Sequence, residues 1–479
     1  MRLGFVIFYG ALLTTIAVGA QAPDRSRPPQ PAPPPPLRLP PIQKRQLSNG
    51  LPVWIVELHD VPVAQVNLLI KSGGADDPAR RFGLASMTAA MLAQGAGSRN
   101  ALQVADAIDY LGADLVSSSG IDSSVVRLHV PVARLGDALP IMADVALRPT
   151  FPNDELERLR QQRLTTILQS RDDPAGIASA AFARAVYGTT HRYGTPTVGT
   201  AEVIKTFTPD DLKSFYASAY RPDNATLIAV GDVTPDRLVP MLESSFGSWK
   251  SASGQKPSQA LGNAQPPATR QIVLVDKPGA PQSQIRIGTV GVPRSTPDYF
   301  PLVVLNTVLG GSFTSRLNNN LREVHGYAYG ASSTFDMRAG PGPFVAAAGV
   351  QTDKTAEALK EFFNELNGIL KPVPEDELAR AKNYVSMRFP GTFETTGDMS
   401  RRLEDMVLFR LPDDYFSTYV DRIQAVTSAN AQAVASKYIN PSRLMVVVVG
   451  DLKTIGPAVR ALNLGPTKTM TIDEVFGPI

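Results

Sequence analysis

The chain contains no cysteine. That excludes disulfides, thiolate metal sites, a cysteine nucleophile and a lipid-anchored N-terminal cysteine. Histidine is nearly missing as well. The four in 479 residues are His59, His129, His191 and His325, and the closest two, His129 and His191, stand 62 positions apart. A zinc site normally draws three protein ligands from His, Cys and carboxylate, so isolated histidines offer little to build on. A turn, a strand or the surface accounts for each of them. Charge of one sign is also scarce. A formal net charge of +3 gives no argument for nucleic acid or an acidic surface as a partner. Beyond the first twenty residues no apolar run is long enough to span a bilayer.

What is present fits a folded protein, with 43% hydrophobic and 19% charged residues. A length of 479 residues exceeds one ordinary core, so two or more domains are expected. Residues 1–20 read as a signal peptide. Arg2 supplies the positive end, an apolar run follows, and Val18-Gly19-Ala20 offers small residues for a cut after Ala20. Cleavage after Ala22 would place Pro23 beyond the scissile bond. Residues 21–41 are proline-rich and read as an extended tether. These features predict an exported protein, periplasmic or secreted, with no stable membrane span.

The body reads as a tandem duplication. Phe82-Gly-Leu84 corresponds to Phe300-Pro-Leu302, and Ser98-Arg99 to Ser315-Arg316. Pro152-Asn-Asp-Glu-Leu156 corresponds to Pro374-Glu-Asp-Glu-Leu378. Tyr220-Arg-Pro222 with the run to Gly231-Asp232 corresponds to Tyr438-Ile-Asn-Pro441 with the run to Gly450-Asp451. The offset stays close to 220 and the matches keep one order, which chance would not produce. Residues 251–269, rich in Ser, Gly, Gln, Asn and Pro, read as the linker. The domains are then 42–250 and 270–479.

Strands are expected at 51–56, 63–71, 123–132, 227–230, 272–275, 284–290, 328–336 and 444–449, and helices at 103–111 and 154–169. Several consecutive strands lie close together, which points to an α+β architecture with mainly antiparallel sheet flanked by helices.

The stretch from Phe82 to Gly95 reads as a helix that lines a site without carrying chemistry. Leu84, Met87 and Met91 fall on one face and predict a core contact. Ser86, Ala89, Ala90 and Ala93 form a second stripe of small side chains only. Two ligands at i and i+4 with an acid between them would make a zinc protease helix. A methyl group coordinates nothing.

Together with Gly310-Gly-Ser-Phe-Thr-Ser-Arg-Leu317 and Leu321-Arg-Glu-Val-His-Gly-Tyr-Ala-Tyr329, this helix makes the chain resemble the insulinase and pitrilysin family, which includes the mitochondrial processing peptidases. The resemblance runs from about residue 42 to the end. It implies two homologous α/β-sandwich domains, one half of a clamshell around a peptide chamber. Active members carry His-x-x-Glu-His in the first domain and a zinc-binding Glu farther on. Here the histidine positions hold Ser86 and Ala90, the general-base position holds Ala89, and the last ligand position falls at Thr165 or Thr166. No Asp or Glu occurs between Arg158 and Arg171.

The second half keeps what the family's active sites borrow from it. A helix is expected over 315–324, with Leu317, Leu321 and Val324 on its buried face and Gly326 ending it. Tyr327 and Tyr329 are then expected on the same side of the next strand. The family's substrate-polarising pair is an Arg and a Tyr seven residues apart, a spacing that Arg322 and Tyr329 share. A guanidinium and a phenol both donate hydrogen bonds to a carbonyl becoming an oxyanion. Taken singly, Arg322 reads as a solvated helix arginine and Tyr329 as a packed strand tyrosine; the pair inside a matching motif reads as functional. Tyr327 reads as structural. Gly310, Gly311 and Ser312 are candidate substrate-binding residues, with a plain helix-to-turn junction as the other reading.

The resemblance therefore implies a non-catalytic subunit of a heterodimeric periplasmic peptidase. This chain would bind no cofactor itself. A homologous partner with His-x-x-Glu-His would hold zinc, and the substrate would be a peptide or unfolded protein. Two other readings stay open: a stand-alone peptide-binding or chaperone-like pseudopeptidase, and a peptidase with a relocated metal site.

Overall fold

The computed structural model describes residues 39–251 and 261–478. The expected signal peptide and most of the proline-rich stretch lie outside the described residues, as do residues 252–260 of the expected linker. Among the described residues no helix is long and apolar enough to cross a membrane.

Among the described residues, twelve of the fourteen strands form two six-stranded sheets, and Gly95–Ala96 pairs with Arg99–Asn100 in a small third one. In chain order the first sheet has β1 (Gln43–Gln46), β2 (Pro52–Glu57), β3 (Val63–Ile70), β4 (Asp114–Ser119), β5 (Ser124–Pro131) and β6 (Ala225–Gly231). The second has β7 (Gln271–Asp276), β8 (Gln282–Val290), β9 (Ala328–Phe335), β10 (Pro343–Gln351), β11 (Met445–Gly450) and β12 (Thr467–Met470). The strand orders are β4-β5-β3-β6-β2-β1 and β9-β10-β8-β11-β7-β12. The first five places match one for one, as a duplication requires. The sixth differs. β1 precedes β2 and pairs with it antiparallel, whereas β12 comes from the chain end and pairs parallel with β7. Pairing is mostly antiparallel, and only β2–β6, β7–β11 and β7–β12 are parallel.

Apolar runs such as Met445-Val-Val-Val-Val-Gly450 mean that both faces of a strand are buried. The structure shows what covers each face. In the first sheet Val53, Ile55, Leu68 and Leu227 join a core with Leu84, Met87, Met91, Leu139 and Met142 from that half's own helices. The alternate residues Val56, Leu69, Ile228 and Val230 pack instead with Met399, Leu403 and Met406. Those three lie on helix Thr396–Phe409, which belongs to the second half. The second sheet is treated in the same way. Ile272, Leu274, Ile285 and Val446 face their own helices. Val273, Val275, Val447 and Val449 are covered by Ile177, Ala178, Ala181 and Phe182 of helix Pro174–Tyr187, from the first half. The two helices start at Pro174 and Thr396, the same offset as Pro152 and Pro374. Each half lends one helix to the other.

Two expectations about residues 315–329 need correction. The helix continues only over Arg316–Asn318 before widening into π-helical turns at Asn319–Val324. Leu317 and Leu321 are fully buried, but Val324 is 66% exposed. A π turn needs more residues per turn, so a residue seven positions on no longer returns to the same face. Gly326 does end the segment, at φ +65°. Tyr327 packs against the core while Tyr329 is 86% exposed. The strand begins only at Ala328, and a register shift between Ala328 and Ala331 breaks the two-residue alternation.

Candidate functional site

Helix Leu84–Met91 is built as a site helix even though its residues carry no site chemistry. It follows Gly83, whose φ of +103° favours glycine and whose Cβ would meet the Val198 carbonyl oxygen at 2.5 Å. The first amides of a helix have no partner within it. Here the Asp77 carboxylate accepts from Gly83 N and Ala85 N, both at 2.7 Å. Arg192 Nε donates to the same carboxylate at 3.1 Å, and both side chains are buried. Burial pushes the Asp77 carboxyl up to about 6, against the pull of Arg192 and the two amides. On the other side, the Ser117 hydroxyl on edge strand β4 donates to the Ala89 carbonyl at 2.7 Å.

Leu84, Met87 and Met91 are buried as their spacing predicts. Ala89 is buried, and Ser86 and Ala90 are half-buried. Thr165 and Thr166 are exposed on helix Asn153–Ser170, where their hydroxyls donate back to the carbonyls of Gln161 and Gln162. One turn earlier on that helix stands Arg163. Its Nη2 donates to the Ser86 carbonyl at 2.7 Å, and its Nη1 is buried with no hydrogen-bond partner. Burial lowers the guanidinium to about 10, so it remains charged at neutral pH. A serine, two alanines and a permanent cation do not fit zinc, because they offer it no ligand and oppose its charge. Elsewhere among the described residues no three His, Asp or Glu side chains converge as a metal would require.

The second cluster lies along edge strand β9, the counterpart of β4. Helix Tyr299–Asn306 passes into π-helical turns at Thr307–Gly311. Gly310 is buried there, and a Cβ would meet Ser333 N at 2.2 Å. The close backbone approach that this glycine permits is to the chain's own strand. Gly311 packs in the same way against Asn306, and the Ser312 hydroxyl donates to the Thr307 carbonyl at 3.2 Å. Two asparagines pin these turns to β9. Asn306 Nδ2 donates to the Ser333 carbonyl at 3.0 Å, and Asn318 Oδ1 accepts from Ala331 N at 3.1 Å. Asn318 Nδ2 also donates to the Phe313 carbonyl at 2.6 Å.

Arg322 and Tyr329 come together on this frame. The Arg322 guanidinium carbon lies 5.1 Å from the Tyr329 ring centre and 4.6 Å from that of Phe313. Its Nε is 3.3 Å from the Glu323 carboxylate. Phe313 and Tyr329 are exposed, and Arg322 between them is half-buried. Among the described residues no hydrogen bond, ion pair or ring contact links Arg322 or Tyr329 to Ser86, Ala89, Ala90 or Thr166. Phe313, Asn318, Asp77 and Arg163 were not legible as site residues in sequence. Asparagines inside a helix, which compete with its backbone bonding, were the available signal for the pins at Asn306 and Asn318.

Comparison with known proteins bears on the family and the fold. The family model described as Insulinase (Peptidase family M16) matches residues 53–199, and that described as Peptidase M16 inactive domain matches residues 206–385. The chain belongs to the insulinase family of peptidases, M16. Among its M16 relatives, an uncharacterised zinc protease of Mycobacterium tuberculosis is 28% identical over 342 residues, 71% of this chain and 77% of that one. Another, from Streptomyces coelicolor, is 24% identical over 416 residues, 86% and 90% of the two chains. Among solved structures, a peptidase M16 inactive domain from Pseudomonas fluorescens matches with a TM-score of 0.79 at 26% identity, covering 85% of this chain and 98% of that one. A protease from Helicobacter pylori matches with a TM-score of 0.80 at 21% identity, covering 86% and 100%, which speaks for the fold alone. The M16 fold is thus present as two α+β domains.

Proposed function

We propose that this M16 chain is the non-catalytic subunit of a heterodimeric, exported zinc peptidase. The partner is a homologue carrying His-x-x-Glu-His, and it supplies the metal and the general base. This chain closes the peptide chamber and presents Arg322 and Tyr329 to the partner's active site. The observation that carries the reading is the unequal state of the two clusters. The metal helix keeps its scaffold but faces a guanidinium, whereas Arg322 and Tyr329 are paired and framed, with the Tyr329 side chain exposed. The N-terminal export signal supports a periplasmic location.

The test is co-expression with an exported homologue that has the zinc motif. Co-purification is expected, and the complex should hydrolyse unfolded peptides. Arg322→Ala should lower turnover about a hundredfold, the scale of losing one oxyanion donor, without preventing assembly. Unchanged turnover in an intact complex would rule out the role. Peptide binding by the isolated chain with no partner recruited would favour the stand-alone pseudopeptidase. Stoichiometric zinc with hydrolysis by the isolated chain would favour a relocated metal site.

A further inference from the structure

The duplication that built the emptied metal site also built its counterpart. At the offset relating Phe82 to Phe300, the site helix position Ala89 corresponds to Thr307 and Ala93 to Gly311. At the offset relating Pro152 to Pro374, Arg163 corresponds to Val385 and Thr166 to Arg388. Thr307, Gly311, Val385 and Arg388 all line one cleft of about 270 Å³ in the second half. In the first half the long side chain of Arg163 reaches across to the site helix. Val385 is too short to do so, and space remains.

The lining of that cleft is cationic and aromatic. Its charged groups are Arg294, Arg388, Arg402 and Asp405. Asp405 stands 3.6 Å from Arg402 and also feels the charge of Arg294, so three guanidinium groups face one carboxylate. Neither Arg294 nor Arg388 forms an ion pair with a described carboxylate. Arg294 is held by ring faces instead, 3.7 Å from the Tyr299 centre and 5.1 Å from that of Tyr415. One of its five N–H donors is used, by the Tyr415 hydroxyl at 2.5 Å. Arg388 Nη1 donates to the Tyr384 hydroxyl. Guanidinium groups stacked on rings, with no carboxylate at ion-pair distance, keep planar donors available for a carboxylate. Beside them Phe389 and Tyr419 stack at 4.0 Å and give an apolar wall.

We propose that this cleft binds a carboxylate carried on a small apolar or aromatic body, of the size of one or two amino-acid residues. The chemistry is shared by a peptide's C-terminal carboxylate and a free N-acylated amino acid. The guanidinium groups of Arg294 and Arg388 take the carboxylate, and the Phe389–Tyr419 wall takes the side chain. The proposal stands apart from the subunit reading and needs no partner chain.

Calorimetric titration of the full chain tests it with N-acetyl-phenylalanine, its amide, and a short peptide ending in Phe with a free or amidated C-terminus. The free acids should bind at least tenfold more tightly than the amides. Arg388→Gln and Arg294→Gln should each weaken binding of the free acid at least tenfold. Arg294 also braces two tyrosines, so its variant is checked by thermal melting; the exposed Arg388 decides if that variant unfolds. Binding of both free acids identifies a C-terminus site, and binding of the small acid alone a small-molecule site; either result supports the cleft. No binding at millimolar concentration, equal binding of acid and amide, or binding unchanged in Arg388→Gln would overturn it.

Discussion

At the residue scale, the Asp77–Arg192 pair is the most exacting feature near the emptied helix. A buried charge stripped of its partner typically destabilises a protein by about 3–5 kcal/mol. Arg192→Ala leaves Asp77 buried without its cation, so a loss of that order is expected by chemical denaturation. A loss under about 1 kcal/mol would show that the helix amides alone satisfy the carboxylate. His59 gives a pH prediction. Its ring nitrogens bond Asp232 at 2.7 Å and Glu57 at 3.2 Å, and these partners raise its pKa above the ordinary value. A raised histidine adds stability that is fully present below its unfolded pKa of about 6.5 and is lost as pH rises through the folded value. Ring NMR should show His59 titrating above that value, and Asp232→Asn should bring it down.

At the element scale, helices Leu84–Met91 and Asn153–Ser170 are joined by Arg163 at Ser86, a cation set where the proposed reading has lost a metal. Restoring Ser86→His, Ala90→His and Thr166→Glu together should give weak zinc binding at best while Arg163 points its charge at Ser86. Adding Arg163→Ala to that variant should tighten zinc, measured by competition with a chromophoric chelator. Equal affinity with and without Arg163 would mean that the guanidinium swings away at no cost. Much of the element pattern was legible in sequence. The strands at Val63–Ile70, Ser124–Pro131 and Met445–Gly450 and the helix Asn153–Ser170 lie within a residue or two of their expected bounds. Four strands of the two six-stranded sheets were not read. Gln43–Gln46, Asp114–Ser119 and Thr467–Met470 lie at sheet edges and are largely polar. In Pro343–Gln351 the small residues Ala346 and Ala348 take inward positions, which hides the alternation. The π-helical turns were illegible for another reason. They are set by Asn306 and Asn318 bonding a strand many residues away, not by local spacing.

At the scale of the whole molecule, the exchange of helices Pro174–Tyr187 and Thr396–Phe409 decides cooperativity. Neither sheet has both faces covered by its own half. Glu404 on the exchanged helix also accepts from Asn67 at 2.6 Å and Arg127 at 2.8 Å, both on the first sheet. The two halves should therefore unfold in one calorimetric transition, and either half produced alone should expose an apolar sheet face and aggregate. Two separate transitions would contradict the exchange as a source of coupling.

The sequence by itself determined the duplication, the α+β class, the M16 resemblance and the lack of metal ligands at Ser86, Ala89 and Ala90. Each of these is carried by residue identity and short-range spacing, which the chain displays directly. Only the tertiary structure decided that Arg163 reaches the emptied helix and that Arg322 lies between Phe313 and Tyr329. It alone decided that each half covers the other's sheet, and that Val385 leaves open a cleft where Arg163 reaches across. Those facts depend on which distant side chains fill a given space, and packing over long sequence separations leaves no periodic mark along a single chain.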